Sequence, residues 1–328
     1  MKLTATIESV ELKKPFGISR GTKTAAEVLR IQVEDQGVSG FGESVPYPRY
    51  QDTPELAISQ ISALDPSLEP NQLLGSLPPG SARNALDAAL LDLQSKQSAK
   101  PAWQLLGLSE PKPVPMCYTI SLKEIDQMVQ DAVDHADLPV LKIKLGGKND
   151  QQVIVEIAKA APKAELIVDV NEGWSLGQLE NMIPYLLSAD VKLLEQPTPA
   201  NLDSQLETIK SPIPLCADES ISPGMEISQV SPAYSFVNLK LDKSGGLTTA
   251  LSQLTQASQQ GFGVMVGCMV GTSLAMAPAY LLAQQADFVD LDGFLHVAQD
   301  HIHPLRFQDG LVSAPPELWG SGIKPQDR

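Results

Sequence analysis

Short apolar segments that each end in an ionisable residue or a glycine recur along the last two thirds of this 328-residue chain. From the second segment onward, these terminal residues are spaced 22 to 27 positions apart, about the length of one strand plus one helix. Together with the preceding segment VPMCYTI they make eight strand-and-helix units, which predict a (β/α)₈-type, modified TIM barrel. In chain order the terminal residues are Lys144, Asp169, Glu195, Asp218, Lys240, Gly267 and Asp290.

The first part of the chain follows a different pattern. Alternating apolar residues predict strands at 3–12 and 27–33, and EDQGVSGFGE predicts a turn into a third strand. Residues 54–64 and 82–94 have helical periodicity. We therefore expect an α+β capping domain at 1–112, ending in the proline-rich PKPVP, and the barrel at 113–295. We expect residues 296–328 to pack back on the capping domain.

Charge and composition limit the classes of partner. A net charge of -15 and a pI near 4.7 argue against nucleic acid and anionic membranes. Residues 261–283 carry no charge, but their clustered glycines predict a strand, a loop and a buried helix rather than a membrane span. The absence of an apolar N-terminal core predicts a cytoplasmic protein, and its expected partner is a small molecule.

Three of the predicted strand ends carry carboxylates. Because consecutive strands of a barrel end at the same mouth, Asp169, Glu195 and Asp218 are expected to lie close together. One such carboxylate alone is equally compatible with a salt bridge or a helix N-cap, but three would repel one another strongly without a cation. Mg²⁺ prefers oxygen ligands, so the pattern predicts one Mg²⁺ per subunit, with Asn171 and Glu219 beside it.

Lysines form the second group at the strand ends. In LKIKLGG, the period of a strand places Lys142 and Lys144 on one face. A neighbouring ammonium and a metal ion both favour the neutral form of Lys144, which could then act as a general base. Lys240 is expected half a turn around the barrel mouth, while Lys243 is expected in solvent. Two opposed lysines suit inversion of a carbon next to a carboxylate.

The series KIK, D, E, D, K at successive strand ends resembles the muconate lactonizing subgroup of the enolase superfamily, and the similarity covers nearly the whole chain. DLDG, together with NLKLDKSGG, CADES and PYPRY, is similar to the dipeptide epimerases within it. This resemblance implies an isomerase that epimerises dipeptides at the C-terminal residue by two-lysine proton transfer through a Mg²⁺-stabilised enediolate. It further implies L-Ala-D-Glu and L-Ala-L-Glu as substrates, in murein peptide recycling.

The resemblance also implies roles for individual residues. Lys144 and Lys240 correspond to the acid/base pair, and Lys142 to a further lysine of the substrate site. A mobile loop of the capping domain sets specificity in this family. Here it is expected at 15–24, with Arg20 pairing with the glutamate side chain. The remaining matches are Asp169, Glu195 and Asp218 as metal ligands, and Asp290 and Asp292 as the pair that binds the α-ammonium.

Several alternatives remain at this point. o-Succinylbenzoate synthase, N-succinylamino acid racemase and muconate cycloisomerase share the lysines and the metal, but their substrates have no free ammonium for Asp290 and Asp292. A non-catalytic ligand-binding barrel would not need the acid/base pair. A Schiff-base aldolase would not need three carboxylates. The pattern is compatible with a homo-oligomer but does not predict a subunit number.

Overall fold

The computed structural model of the protein describes residues 1–323. Residues 324–328, the end of the segment expected to pack on the capping domain, lie outside the described residues. The N-terminal region contains an antiparallel sheet of β1 (Lys2–Ile18), β2 (Gly21–Asp35) and β3 (Val38–Ser44). Its helices are α1 (Pro54–Ser62), α2 (Pro70–Gly75), α3 (Ser81–Ser98) and α4 (Ala102–Leu105).

Helix α3 packs directly on strand β3. A Cβ added to Gly40 would lie 2.2 Å from the carbonyl oxygen of Ala89, and one added to Gly42 would lie 2.1 Å from that of Ala85. The two glycines therefore let the helix approach the strand closely, and alternate residues of β2 pack into the same core.

The capping segment 15–24 is a β-hairpin, whereas we expected a loop. Strand β1 continues to Ile18 and β2 starts at Gly21, so only Ser19 and Arg20 form the turn. The register shifts between Glu11 and Phe16, where β1 has extra residues relative to β2. This irregularity bends the long hairpin, whose tip contacts the barrel where Ser19 Oγ donates to the carbonyl of Asn171 at 2.7 Å.

The second region is the predicted eight-stranded barrel. Its strands are parallel and follow one another in the sheet in chain order, and the backbone N–H of Cys117 donates to the carbonyl of Val289 at 2.9 Å across the seam. The strands are β5 (Tyr118–Ile120), β6 (Val140–Lys144), β7 (Glu165–Asp169), β8 (Val191–Glu195), β9 (Leu215–Ala217), β10 (Phe236–Lys240), β11 (Gly263–Gly267) and β12 (Phe288–Asp290). The helices are α5 (Ile125–Asp134), α6 (Asp150–Ala160), α7 (Leu176–Ser188), α8 (Asp203–Leu206), α9 (Leu241–Ser244), α10 (Leu247–Gln259) and α11 (Ser273–Ala283).

A small sheet joins the start of the barrel to the end of the described chain. It consists of β4 (Val114–Pro115), β13 (Arg306–Gln308) and β14 (Leu311–Ser313). Beyond it, the indole N–H of Trp319 donates to the carbonyl of Ala88 in α3 at 3.1 Å. None of the helices formed by residues 1–323 is both long enough and apolar enough to cross a bilayer.

Polar contacts connect the capping domain to the barrel. Glu43 of β3 is fully buried and accepts hydrogen bonds from the backbone N–H and hydroxyl of Thr272, at the start of α11. Asp242 of α9 accepts from the backbone N–H of Val45 and from the side-chain amide of Asn84, both on Oδ1. These contacts attach β3 and α3 of the capping domain to α9 and α11 of the barrel.

Candidate active site

The strand ends identified in the sequence lie at the same level around the barrel mouth. In the parallel ladder Lys144 is paired with Asp169, Asp169 with Glu195, and Glu195 with Cys216, two residues before Asp218. On the other side, Lys240 is paired with Gly267 and Gly267 with Asp290. The regular spacing in the sequence thus becomes a ring of functional groups because parallel strands in register end together.

A cavity of about 320 Å³ opens above this ring. The hairpin and the β3–α1 connection cover one side of it, and the barrel strand ends form the other. Asp169, Glu195 and Lys142 are fully buried beneath the cavity. The capping residues in its wall include Phe16, Ile18, Arg20, Lys23, Tyr47 and Tyr50, and the barrel residues include Thr119, Lys144, Asn171, Asp218, Glu219, Lys240, Cys268, Asp290 and Asp292.

Lys142 is the central counter-ion of the buried carboxylates. Its Nζ lies 2.5 Å from Asp290 Oδ2, 2.6 Å from Glu195 Oε2 and 3.2 Å from Asp169 Oδ2. Burial alone would disfavour its charge, but the three carboxylates raise the pKa of Lys142 well above its ordinary value. Lys144 Nζ lies 2.5 Å from the same Oδ2 of Asp169, so one carboxylate oxygen offsets the repulsion between the two lysines.

Asp218 is paired with two lysines from the other side of the barrel. Lys240 Nζ lies 2.8 Å from its Oδ2, and Lys243 Nζ lies 2.7 Å from its Oδ1. Although burial opposes ionisation, these ammonium groups hold the pKa of Asp218 well below its usual range. The expectation that Lys243 is solvated is wrong: its side chain is 3% exposed, because it lies in α9, directly after β10, and its Nζ donates to the backbone carbonyl as well as the carboxylate of Asp218.

Glu195 is held by a residue that the sequence analysis missed. The side-chain amide of Asn238 in β10 donates to Glu195 Oε1 at 2.7 Å. Burial, reinforced by the charge of Asp169, raises the pKa of Glu195 to about 7. Asn238 lies two residues before Lys240 and so faces the same side of the strand; a polar residue inside an apolar strand was the available indication.

The carboxylates suit a hard cation by their chemistry. Among residues 1–323, no three His, Cys, Asp or Glu side chains surround one common point, because lysine ammonium groups lie between the carboxylates. Asp169, Glu195 and Asp218 nevertheless offer only oxygen donors, at adjacent strand ends. Within the described part of the chain, Glu219 Oε2 is buried without a hydrogen-bond partner, while Glu195 Oε2 is paired with the ammonium of Lys142. Such a set fits Mg²⁺ better than Zn²⁺.

Asp290 and Asp292 lie next to each other at the end of β12. Asp290 contacts Lys142 through Oδ2, and Cys117 Sγ lies 3.4 Å from its Oδ1. Asp292 accepts the backbone N–H of Thr119 at 2.6 Å. Both carboxylates line the cavity, so the DLDG motif does bring two negative groups to its wall.

Two cations reach the cavity from the hairpin. Arg20 is already ion-paired: its Nη2 lies 2.8 Å from Glu219 Oε1 and its Nη1 lies 3.3 Å from Glu172 Oε2. Lys23 has no carboxylate within ion-pair distance among the described residues, and its Nζ lies 4.5 Å from the centre of the Tyr47 ring. Arg20 therefore also fastens the hairpin to the barrel, whereas Lys23 keeps an uncompensated charge at the cavity wall.

Family models match both regions of the chain. Residues 2–107 match the N-terminal domain of mandelate racemase and muconate lactonizing enzyme, and residues 124–328 match the enolase C-terminal domain-like family. The chain belongs to the enolase superfamily. Within this superfamily it falls in the mandelate racemase and muconate lactonizing enzyme group, as the strand-end residues indicated.

Curated relatives of this enolase-superfamily chain are racemases and epimerases, and the chain is an isomerase. It is 43% identical to N-acetyl-D-glutamate racemase from Pseudoalteromonas over 89% of this chain and 95% of the relative. It is 39% identical to L-Ala-D/L-Glu epimerase from Escherichia coli over 92% of this chain and 96% of the relative.

Solved structures agree with these relatives. An enolase family member from Agrobacterium tumefaciens, with homology to dipeptide epimerases, contains sodium and L-Ala-L-Glu. It superposes with a TM-score of 0.92 at 41% identity, covering 97% of this chain and 99% of that one. A dipeptide epimerase from Cytophaga hutchinsonii is in complex with Mg and D-Ala-L-Val. It superposes with a TM-score of 0.86 at 25% identity, covering 95% of this chain and 92% of that one.

Proposed function

We propose that this chain is a Mg²⁺-dependent dipeptide epimerase that inverts the α-carbon of the C-terminal residue, with L-Ala-D-Glu and L-Ala-L-Glu as its substrate pair. The observation that carries the proposal is the placement of Lys144 and Lys240 on the wall of one covered cavity. They end strands β6 and β10, four positions apart in the eight-stranded sheet. Two amines thus approach a bound molecule from different sides.

The two lysines divide the proton transfer between them. One, in its neutral form, takes the proton from the α-carbon, and the other, as an ammonium, delivers a proton to the opposite face. Their tasks exchange in the reverse reaction. Each lysine contacts a carboxylate at a strand end, Asp169 for Lys144 and Asp218 for Lys240, which fixes the position of each amine.

Asp169, Glu195 and Asp218 would hold the Mg²⁺. When bound, the ion supplies positive charge that offsets the charge developing on the substrate carboxylate, and so makes the neighbouring α-proton more acidic. The oxygen-only donor set supports this assignment, as does the Mg²⁺ in the related dipeptide epimerase from Cytophaga hutchinsonii.

The two ends of a dipeptide match the charges of the cavity wall. Asp290 and Asp292 would bind its α-ammonium, since anions on one rim favour a cation. The glutamate side chain requires a cation on the capping hairpin. Arg20 and Lys23 both lie there, and the ion pairs of Arg20 with Glu172 and Glu219 favour Lys23 as the direct partner. Such a substrate is compatible with the murein peptide recycling implied by the resemblance.

Racemisation of an N-acylated amino acid is the second candidate. It is favoured by the pairing of Asp290 with Lys142 at 2.5 Å, because a carboxylate that already has a counter-ion has less need of a substrate ammonium. The relative that racemises N-acetyl-D-glutamate points the same way. Both candidates use the same lysines and differ only in the group that lies at Asp290 and Asp292.

Proton NMR in D₂O tests the proposal. L-Ala-L-Glu is incubated with the protein and Mg²⁺, and the glutamate α-proton is followed. Exchange of this proton together with appearance of the L,D diastereomer is the expected result. Parallel samples contain N-acetyl-L-glutamate, N-succinylamino acids or the o-succinylbenzoate precursor. Exchange with one of the acylated amino acids, or formation of o-succinylbenzoate, and no exchange with several dipeptides would reject dipeptide epimerisation. No reaction in any sample would reject isomerase chemistry at this cavity.

A further inference from the structure

His296 lies against the carboxylate of Asp292, outside the ring of strand-end residues. Its Nε2 is 3.5 Å from Asp292 Oδ2, an ion-pair distance longer than an ordinary hydrogen bond. This nitrogen is enclosed by the protein and has no hydrogen-bond partner among residues 1–323. The side chain of Asp292 is 6% exposed and that of His296 is 17% exposed. The contact is therefore largely shielded from water and retains its electrostatic strength.

The capping hairpin holds His296 in this position. The ring of Phe16 packs edge-on against the imidazole, with centroids 4.7 Å apart, and Phe16 itself lines the cavity. The backbone N–H of Lys13 donates to the carbonyl of His296 at 2.8 Å. His296 thus links the wall of the barrel mouth to the domain that covers the substrate.

The charged groups around the contact leave Asp292 as the partner of His296. Asp290, two residues earlier on the same segment, is already paired with Lys142. On β1, the ammonium of Lys13 donates to the carbonyl of Leu295. On β5, the backbone N–H of Thr119 donates to Asp292, and the phenol of Tyr118 and the thiols of Cys117 and Cys268 are the other titratable groups near Asp292, all with raised pKa values. Burial disfavours ionisation of Asp292, but His296 lowers its pKa below the ordinary value.

We propose that His296 acts through Asp292 as a positioning residue that sets how strictly the cavity requires a positively charged substrate nitrogen. A neutral imidazole leaves the charge of Asp292 available to the α-ammonium of a dipeptide. A protonated imidazole pairs with Asp292, weakens dipeptide binding, and makes the same wall acceptable to the uncharged amide of an N-acylated amino acid. The inference rests on the proposed function and adds that pH controls the preference between the two kinds of substrate.

Histidine suits this task because its charge changes between pH 5 and 8. The α-ammonium of a dipeptide remains largely charged up to about pH 7, so a change in the preference for the dipeptide below that pH has to come from the protein. Effects of pH on the lysines and the carboxylates are common to both substrate classes and cancel in a ratio. The ratio of the two affinities is therefore the informative quantity.

The experiment compares L-Ala-L-Glu with N-acetyl-L-glutamate in wild type and in His296→Gln. Dissociation constants and kcat/KM are measured from pH 5.5 to 7.0 with Mg²⁺ present. In wild type the preference for the dipeptide is expected to rise about fivefold to tenfold over this range, while in His296→Gln it is expected to stay constant. His135→Gln, which alters a partly buried histidine directly after α5, should retain the wild-type slope. An unchanged slope in His296→Gln would overturn the inference.

A second measurement does not depend on turnover. The Cε1 proton of His296 is assigned among the four histidines by its loss in His296→Gln and is titrated in wild type and in Asp292→Asn. Because the carboxylate of Asp292 faces Nε2 at 3.5 Å, its removal is expected to move the Cε1 resonance of His296, and identical resonances in the two proteins at every pH would overturn the inference. If the resonance of His296 moves in Asp292→Asn but neither substrate binds to or reacts with the wild-type protein, the proposed function fails, although the contact is real.

Discussion

The ammonium of Lys142 lies 2.5 Å from Oδ2 of Asp290, so it connects the second strand of the barrel to the last. The same ammonium contacts Glu195 and Asp169. Groups that the sequence assigns to two tasks, metal binding and recognition of the substrate ammonium, therefore share one buried counter-ion.

Replacing Lys142 with methionine should destabilise the protein strongly. The change leaves three buried carboxylates without their shared counter-ion, which typically costs about 3–5 kcal/mol. Lys159→Met is the control, because the ion pair of Lys159 with Glu156 is exposed and such pairs contribute roughly 0–1 kcal/mol. Urea unfolding in EDTA measures both. Equal losses for the two variants would contradict the role of Lys142 as a counter-ion.

Lys144→Ala and Lys240→Ala should each lower kcat for epimerisation in both directions by about 10²- to 10⁴-fold. Each variant is expected to keep α-proton exchange for one diastereomer, since one lysine remains to serve one face. Mg²⁺ affinity, measured by calorimetry, should be retained, and the exposed Lys163 provides the matched Lys163→Ala control. Loss of Mg²⁺ binding together with activity would reject the assignment of roles.

The roles of Lys23 and Arg20 can be distinguished by comparing L-Ala-L-Glu with L-Ala-L-Gln, whose side chain has the same shape but no charge. Lys23→Gln should reduce the preference for the charged substrate by about tenfold, the effect of a contact worth about 1.4 kcal/mol. Arg20→Gln should lower kcat/KM for both substrates alike, because its ion pairs with Glu219 and Glu172 hold the hairpin. Loss of the preference in Arg20→Gln alone would assign the carboxylate to Arg20.

Gly267→Ala should impair Lys240 without unfolding the barrel. A Cβ at this position would lie 2.5 Å from Asn238 Oδ1 and 3.0 Å from Lys240 Cε, so both side chains have to shift. We expect a lower kcat with a folded circular dichroism spectrum. Gly177→Ala has nothing within 4 Å of the added Cβ and should leave kcat unchanged. Wild-type activity in Gly267→Ala would show that the position of Lys240 tolerates this shift.

Asp242→Asn should increase stability at high pH. Burial raises the pKa of Asp242 to about 6, so the folded protein binds this proton more tightly than the unfolded chain does. Its contribution to stability is therefore present below about pH 4 and is lost as the pH rises through about 6. Asparagine can still accept both hydrogen bonds, which lie on Oδ1.

The variant should gain about 1–2 kcal/mol at pH 8 and little at pH 4, measured by urea unfolding. Asp190→Asn, at an exposed ion pair with Lys192, should match wild type at both values. Equal stability of Asp242→Asn and wild type at pH 8 would contradict the effect of burial on this carboxylate.

Recurring strand ends made the barrel and the ring of charged residues predictable. Because the barrel strands neighbour one another in chain order, the position of a residue in the sequence also predicts its position around the barrel. The burial of Lys243 was not predicted because it depends on how α9 follows β10. Asn238 was missed because its partner, Glu195, lies two strands away in the barrel. The hairpin at 15–24 was expected as a loop because its polar residues lack the alternation of a half-buried strand.

By itself the sequence determined the order of strands, the residue at each strand end and the chemical types gathered at the barrel mouth, because parallel strands with a regular repeat end at one level. Only the tertiary structure decided which charge meets which. Ion pairs such as Lys142 with Asp290 and His296 with Asp292 depend on ångström-scale distances and on burial. Packing of the whole chain determines these distances and this burial, and a local sequence pattern predicts neither.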